Sequence, residues 1–242
     1  VALVGVTNKT GHRFPSGVGF RRAFLEVKAT APDGEVLWCS GCSNDVGVIL
    51  GADGEPLKTE FLDYVPEGKT EALYQPHYDV IDNQDQVQIY EELTQDADKA
   101  FTTSFIRRIF HPKDNRLLPH GWREPGTPEF TEKFGSSEVT TAFMKATRPE
   151  GNAHDDPNFT PGGDRLRYQI DLPYGVDPAD VTVTATLMYQ AIPPYYLKQR
   201  FETAPDRPAT QRLYYLASRL KTQGTLIDGW KIRVQSASAT TG

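Results

Sequence analysis

The sequence lacks any long run of apolar residues. Its longest apolar stretches, such as residues 1–6 and 185–189, are far shorter than the roughly 20 residues that a membrane-spanning helix needs. It also lacks an excess of basic residues, because 26 Lys and Arg side chains stand against 32 Asp and Glu side chains, for a formal net charge of −6. This charge argues against nucleic acid or an anionic membrane surface as the main partner.

Cysteine is scarce, since Cys39 and Cys42 are the two in the sequence. The residue after Cys42 is Ser43, so the pair does not form the Cys-x-x-Cys-His run that attaches a c-type haem covalently. One pair also falls short of a four-ligand zinc site unless His or carboxylate side chains come from elsewhere. From the spacing alone, a local disulfide, two reduced thiols and a metal site all stay open.

Motifs of common catalytic sites are absent from the sequence. It contains no Gly-x-Ser-x-Gly elbow, no His-Glu-x-x-His run and no phosphate-binding Gly-x-x-x-x-Gly-Lys-Ser/Thr loop. Glu91 and Glu92 are adjacent carboxylates, but neighbours on a strand point to opposite faces and cannot flank one sugar as an acid/base pair. The sequence therefore gives no support for an enzyme.

Alternation of polar and apolar residues is the dominant pattern. It predicts clear strands at residues 22–30, 165–172, 181–190 and 230–235, and weaker ones at 1–7, 46–50, 57–64, 87–93 and 102–108. The 20 Gly and 18 Pro residues favour turns over long helices. Together these features predict a mainly β fold, an antiparallel β-sandwich of immunoglobulin-like general architecture, as a single domain over residues 1–242.

Helical patterns are confined to the C-terminal half. A helix is predicted at about residues 209–222, after Pro208 and before Gly224, and a shorter one at 194–201. Residues 111–164 show little periodicity and many Pro, Gly and charged residues, which predicts a long loop insertion. The last residues, 236–242, are predicted to be a small polar tail.

A series of short motifs runs through the chain in a fixed order: NKTGHRFPSG at 8–17, RRAFL at 21–25, DQVQIYE at 85–91, KDNRLLP at 113–119, GDR at 163–165 and LMYQAIPP at 187–194. This series resembles the haem-free, β-rich C-terminal domain of secreted multihaem c-type cytochromes, and the resemblance covers nearly the whole chain. The Cys39 and Cys42 pair departs from that family pattern.

The resemblance implies a non-catalytic accessory domain or subunit of an extracytoplasmic cytochrome, periplasmic or extracellular, that covers haems and docks partners in electron transfer. The implied partner is a haem-bearing domain or subunit, and assembly with other copies fits the same role. The haem c would be carried by a part of the protein that precedes Val1. Export of this kind favours a disulfide between Cys39 and Cys42.

One loop gives the candidate cofactor contacts. Residues 11–17 have Gly at both ends and Pro15 inside, a composition that holds one side chain, His12, in a fixed direction. His12 is then either a structural histidine or an imidazole that faces a haem iron of another domain or chain. Arg21 and Arg22 are candidates for pairing with haem propionates, although paired arginines are often simply solvated.

Acidic loops and scattered histidines give the candidate metal ligands. Asp155, Asp156 and Asp164 supply the oxygen ligands that calcium prefers, and a solvated loop with Asx-turns is the alternative. Four other histidines could bind copper or zinc if the fold brought them together, but are expected to be ordinary surface residues: His77, His111, His120 and His154.

A carbohydrate-binding or adhesion module is the alternative function. It would use aromatic side chains as a stacking surface, and the candidates are Trp122, Tyr195, Tyr196, Tyr214 and Tyr215. Exposed aromatics would favour this function, and aromatics buried under a helix would not.

The absence of a Cys-x-x-Cys-His run predicts that this polypeptide carries no covalently attached haem. A pyridine haemochrome spectrum of the purified, denatured chain measures this directly. A c-type haem spectrum from that chain would contradict the prediction.

Overall fold

Alternating side chains become paired strands in the computed structural model, which describes residues 1–63 and 73–240. Within these ranges the chain forms nine strands, β1 (Ala2–Thr7), β2 (Arg22–Thr30), β3 (Val36–Ser40), β4 (Val80–Ile81), β5 (Ile89–Gln95), β6 (Phe110–Asp114), β7 (Gly163–Tyr168), β8 (Thr182–Gln190) and β9 (Ile232–Thr240). The same ranges contain four α-helices, α1 (Pro128–Phe134), α2 (Glu138–Lys145), α3 (Pro194–Thr203) and α4 (Pro208–Ala217). The predicted mainly β class is confirmed.

The strands assemble into two sheets. The smaller sheet has the order β1-β7-β4, and the larger has the order β6-β5-β2-β8-β9, with β3 also paired to β2. Among the described strands every pairing is antiparallel except that of β4 with β7, which is parallel. The predicted antiparallel architecture is confirmed. The parallel pair was not predicted, because β4 has two residues and so shows no alternation in the sequence.

Apolar side chains from both sheets share one core. Leu25 and Val27 of β2 belong to the same buried cluster as Leu166 and Tyr168 of β7. The ring of Trp38 meets the ring of Tyr168 edge-on, with 6.1 Å between the centroids. Burial of a large apolar side chain contributes about 1.5–3 kcal/mol, so this shared core holds the two sheets face to face.

The second face of β2 is also buried. Alternation along residues 22–30 is typical of a strand with one exposed face, yet Arg22, Phe24 and Glu26 on its more polar face are buried. Phe24 on this face packs in a second core with Ile49 and Leu57. Because the chain around these two residues covers the face, the charged side chains of β2 need partners inside the protein.

Arg22 shows how that need is met. Its guanidinium bonds to the Glu60 carboxylate through Nη1 to Oε2 (3.0 Å) and Nη2 to Oε1 (2.6 Å), and its Nε donates to Gln190 Oε1 at 2.7 Å. Glu60 Oε1 also accepts the backbone N–H of Ile49 at 3.2 Å. The pair therefore joins β2 and β8 to the segment that covers them.

The helices and the C-terminus depart from the sequence pattern. α4 ends at Ala217, before the predicted 222, while α3 lies where a helix was predicted. The predicted loop at 111–164 contains α1 and α2, whose N-caps Thr127 and Ser137 each accept the backbone N–H three residues on. The predicted polar tail is strand as far as Thr240, paired with β8.

None of the helices in the described ranges is long and apolar enough to cross a membrane.

Substitution Glu60→Gln should destabilise the fold strongly. It leaves the Arg22 guanidinium buried without a countercharge, and breaking a buried ion pair in this way costs about 3–5 kcal/mol. Urea denaturation followed by circular dichroism measures the free energy of unfolding. Replacing both Arg22 and Glu60 by Met should recover part of the loss, because no unpaired charge then stays inside.

The matched control is Asp63→Asn, since Asp63 pairs with Lys198 at the surface, where ion pairs contribute little. If Glu60→Gln changes the free energy of unfolding as little as the control does, the role given to the buried pair is contradicted.

Candidate functional site

A buried asparagine fastens the loop at residues 8–17 to the rest of the protein. Asn8 Nδ2 donates to the carbonyl oxygens of His12 (2.8 Å) and Leu117 (3.0 Å). Asn8 Oδ1 accepts the backbone N–H of Thr10 at 2.9 Å. The backbone of Phe14 exchanges two further hydrogen bonds with Leu117, at 3.0 and 2.8 Å. The loop is therefore anchored on both sides of His12.

The His12 ring is exposed, and its Nδ1 has two polar contacts, of which that with Thr10 Oγ1 is the longer at 3.4 Å. Its Nδ1 lies 2.8 Å from the carbonyl oxygen of Arg13. A carbonyl oxygen can only accept, so Nδ1 carries the proton and Nε2 of the neutral ring keeps a lone pair. In the described part of the chain nothing bonds to Nε2. Histidines that bind metals through Nε2 commonly have their Nδ1–H held by an acceptor in this way.

A row of ion pairs leads from this loop to β6. Arg13 pairs with Asp114. Arg116 bridges Asp114 and Glu92, with nitrogen–oxygen distances of 2.7 and 3.3 Å. The Glu92 carboxylate in turn lies 3.2 Å from Nδ1 of His111. This ion-pair row connects the His12 loop to a second exposed histidine.

The two arginines assigned to haem propionates have different surroundings. The guanidinium of Arg21 lies over Gly17, and its Nη1 donates to the carbonyl oxygen of Ser16 at 3.3 Å. Gly17 has φ of +92°, and a Cβ there would lie 2.7 Å from Arg21 Nη1, so the loop requires glycine. Arg22 is enclosed by Glu60 and its other core partners. Arg22 therefore does not reach a ligand outside the protein, which corrects its assignment.

A second cluster of polar side chains joins the two sheets from inside. Nε2 of the buried His77 lies 3.1 Å from Asp156 Oδ2 and 3.9 Å from Asp164 Oδ2. Asp164 Oδ2 accepts the Tyr90 hydroxyl at 2.7 Å and Gln88 Nε2 at 3.1 Å. Asp164 belongs to β7 and Tyr90 to β5, so this His77 cluster ties the smaller sheet to the larger one.

Two amides fix the tautomer of His77. Its Nδ1 accepts from Gln88 Nε2 (2.8 Å) and from Asn115 Nδ2 (3.1 Å). The Asn115 amide cannot be reversed, because its Oδ1 accepts a backbone N–H of β5 at 2.9 Å and its Nδ2 donates to a backbone carbonyl of β5 at 2.8 Å. The proton of the neutral ring is therefore on Nε2, which donates to Asp156.

This tautomer decides how the cluster relates to metal binding. Ligand atoms of His77, Asp156 and Asp164 lie within 4.8 Å of one another, which is close enough for one ion. A metal needs the lone pair of Nε2, and that atom carries the proton given to Asp156, so the contacts fit a hydrogen-bonded network. Asp155, the third residue of the calcium prediction, is exposed and outside the cluster. Calcium at Asp155, Asp156 and Asp164 stays a prediction.

Burial shifts two pKa values of this cluster in opposite directions. It raises the pKa of Asp164 to about 7, against the Tyr90 hydrogen bond and with the help of the nearby Asp156 charge. It lowers the pKa of His77 to about 4, against the attraction of Asp156. The second oxygen of Asp164, Oδ1, is buried and has no hydrogen-bond partner among residues 1–63 and 73–240. Asp164 therefore holds a proton in the folded protein up to near neutral pH, while His77 stays neutral.

Of the four histidines that were expected at the surface, three are exposed and one is buried. His111, His120 and His154 are exposed, as expected. His77 is buried, and its expected surface position is wrong because its partners come from distant parts of the sequence. Asp164 did carry a local signal: the alternation of β7, extended one step back from the buried Leu166, places it on the inward face.

The aromatic side chains of the alternative function differ in their exposure. Tyr195 is buried, and Tyr196 stacks on a phenylalanine ring at 3.9 Å. Trp122 is half-buried and donates its Nε1–H to a threonine hydroxyl at 3.0 Å. Tyr214 and Tyr215 of α4 are the exposed pair. Two of the five aromatic side chains are thus exposed, and the other three are buried or half-buried.

Cys39 and Cys42 are joined by a disulfide, with 6.0 Å between their Cα atoms. Gly41 between them has φ of +79°, and a Cβ there would lie 2.2 Å from the carbonyl oxygen of Leu25. The turn therefore packs directly on the backbone of β2, which a side chain at Gly41 would prevent.

Comparison with known proteins gives little to set beside this geometry. No protein-family model matches the chain, and no curated protein matches it. One solved structure, a penta-heme cytochrome c552 from Thermochromatium tepidum, overlaps 99% of this chain at a TM-score of 0.38 and 13% sequence identity. The chain spans 35% of the length of that cytochrome. An overlap of this depth establishes neither a common fold nor a common activity.

Substitution Asp164→Asn should make the fold lose stability on acidification. Folded Asp164 keeps its proton up to about pH 7 and the unfolded group releases it near 3.8, so its stabilising effect is lost as the pH rises between these values. His77, with a folded pKa of about 4 against an ordinary 6.5, adds stability as the pH rises over its own range. The two slopes oppose each other, so removing Asp164 exposes the His77 slope, at most about 1.4 kcal/mol per pH unit.

Thermal unfolding followed by circular dichroism between pH 4 and pH 7 measures these slopes relative to the wild type. His77→Gln should give the opposite result, a stability that falls as the pH rises, and the exposed Asp155→Asn serves as the control. If the wild type and both cluster variants show the same dependence of stability on pH, Asp164 and His77 do not make the opposite contributions described here.

Proposed function

We propose that this chain is a non-catalytic, extracytoplasmic domain or subunit of a multihaem cytochrome, in which His12 faces the iron of a haem carried by an adjacent domain or chain. The observation that carries the proposal is the exposed His12 imidazole, whose Nδ1–H is given to a backbone carbonyl and whose Nε2 lone pair is open. The motif series that resembles such cytochrome domains supports the same role.

The residues around His12 fit an axial ligand of haem. Histidine is a common ligand of haem iron, and a hydrogen bond from Nδ1–H to an acceptor orients the ring and raises its basicity. Asn8 anchors the loop, so little conformational freedom is lost when the ligand binds. A bound haem would supply one-electron chemistry, while this chain would orient the haem, cover its edge and keep water from it.

Arg21 is the residue of this chain suited to a haem propionate. Its guanidinium borders the His12 loop and makes one hydrogen bond, 3.3 Å long, within the described ranges. A guanidinium pairs with a carboxylate through two parallel hydrogen bonds, which fixes the carboxylate in both distance and direction. Arg22 has no part in this proposal, because its donors are used inside the core.

The disulfide supports the extracytoplasmic part of the proposal. Disulfides form and persist in oxidising compartments and are rare in the cytosol. The Cys39–Cys42 bond leaves neither thiol free to bind a haem vinyl group, and the sequence has no other cysteine. The haem that His12 faces must then be attached to another segment or another chain.

His12→Ala should remove one equivalent of haem binding. The probe is a ferric c-type haem peptide whose iron carries one histidine and one water, titrated into the chain at pH 7. Binding of the wild type should shift the Soret band to that of a low-spin, bis-histidine haem. The affinity should exceed that of N-acetylhistidine by about tenfold, because the anchored loop presents the ring in place.

His154→Ala is the matched control, because it removes an exposed histidine from a different loop. Circular dichroism establishes that both variants stay folded. Equal stoichiometry and affinity for His12→Ala and the wild type would rule out the proposed role of His12.

A further inference from the structure

Six consecutive exposed residues, 105–110, form an apolar surface that runs from the connection after β5 into the first residue of β6. Four of them are large and apolar, with exposed fractions of 56% for Phe105, 95% for Ile106, 56% for Ile109 and 38% for Phe110. Folded proteins rarely leave so many adjacent apolar side chains in water unless the surface binds something. This exposed run is therefore a candidate contact surface.

Contacts on both sides hold the exposed run in place. The backbone N–H of Ile109 donates to a carbonyl oxygen at the end of β5 at 2.8 Å. Just before the run, Thr103 donates its backbone N–H (2.8 Å) and its hydroxyl (2.5 Å) to Gln199 of α3. The Lys99 ammonium lies 3.0 Å from the centroid of the Phe110 ring. The surface is thus formed before anything binds.

Two arginines interrupt the apolar residues. Arg107 pairs with Asp96 at 2.8 Å. The Arg108 guanidinium lies 5.5 Å from the ring centroid of Phe105, and in the described ranges it makes no ion pair. An apolar strip with an unpaired guanidinium suits a ligand that has both a flat apolar face and an anionic group.

His111 follows the run directly and is oriented by a carboxylate. Its side chain is 40% exposed, and its Nδ1 lies 3.2 Å from Glu92 Oε1. The Glu92 carboxylate therefore lies beside Nδ1, and Nε2 is the ring nitrogen that makes no polar contact within residues 1–63 and 73–240. Arg116 holds the other oxygen of Glu92 at 3.3 Å. Carboxylate, histidine and metal in this order form a recurrent arrangement of metal sites.

From these contacts we infer that residues 105–111 form a second haem-contacting edge. His111 ligates the iron through Nε2, Phe105 and Ile106 cover the porphyrin, and Arg108 pairs with a propionate. With the haem peptide as the probe, the Nε2–iron bond would replace the iron–water bond, with no transfer of an electron. The inference rests on the proposed function, since its occupant is a haem of the adjacent domain or chain.

Haem fits these groups better than a lipid surface does. An imidazole oriented by a carboxylate has no role against acyl chains, and the net charge of −6 disfavours an anionic membrane. The ion-pair row also links His111 to the loop that presents His12. The two imidazoles thus belong to one connected set of charged contacts.

Titration with the ferric c-type haem peptide tests the inference on the wild type, His12→Ala, His111→Ala and the double variant. We expect two equivalents bound by the wild type, one by each single variant and none by the double variant. The Soret band reports ligation of the iron, and circular dichroism reports the fold.

The outcomes separate this inference from the proposed function. A loss confined to His12→Ala overturns the second edge and leaves the proposed function standing. A loss confined to His111→Ala supports the second edge and overturns the role of His12. Unchanged binding in both single variants overturns both.

The porphyrin contacts need a second measurement in the His12→Ala background. Ile106→Ser and Arg108→Gln should each weaken haem peptide binding about tenfold without moving the Soret band, because neither residue touches the iron. Val139→Ser, at an exposed apolar residue of α2, is the matched control and should change nothing. An equal loss in the control would indicate unspecific apolar adsorption and overturn the inference.

A lipid surface is the competing occupant. Sedimentation with phosphatidylglycerol vesicles distinguishes it: binding to vesicles that Ile106→Ser abolishes, combined with haem peptide binding that this variant leaves intact, would assign the run to lipid and overturn the haem edge.

Discussion

Burial of charged side chains on the strands of the larger sheet is the constraint on which the rest of the structure depends. Arg22 lies in a strand that is covered on both faces, and Lys113 is equally enclosed beside Glu91. An unpaired charge in such surroundings costs several kcal/mol, so each must find its partner inside. The segment that carries Glu60 and the strand that carries Lys113 can therefore lie only where they supply these partners.

The strand β6 and the residues after it contain both buried partners of the larger sheet and residues at the surface. Lys113 and Asn115 both donate to the carbonyl oxygen of Ile89, each at 2.8 Å, and so fix the strand against β5. The residues between and after them, Asp114 and Arg116, belong to the ion-pair row that reaches His111. Because inner and outer contacts alternate along one segment, the buried bonds determine where the exposed imidazole lies, and a site on such a rigid element is held accurately.

The sequence predicts those parts of the fold whose pattern is local. The strands β2 and β8 lie where alternation placed them, because one face of each packs on apolar neighbours. The end of β9 was missed, since its Ser, Ala and Thr residues are exposed and pair through hydroxyls, as Thr184 does with Ser238 at 2.8 Å. The helices α1 and α2 were missed because they are short, and Val139 of α2 is exposed rather than packed on a core.

In the candidate site too, the residues with local partners could be predicted from the sequence and those with distant partners could not, as the histidines show. The Gly and Pro residues around His12 identified it as a candidate from the sequence. Its Nδ1 partner is local as well, the carbonyl oxygen of the next residue, Arg13. His77 and His111 gave no such signal, since their partners come from distant parts of the sequence. Yet the partner of Nδ1 decides what each ring can do. A carbonyl acceptor at Nδ1 leaves the lone pair of the neutral His12 ring on Nε2, whereas two amide donors at Nδ1 of His77 place its proton on Nε2 and commit that ring to holding the sheets together.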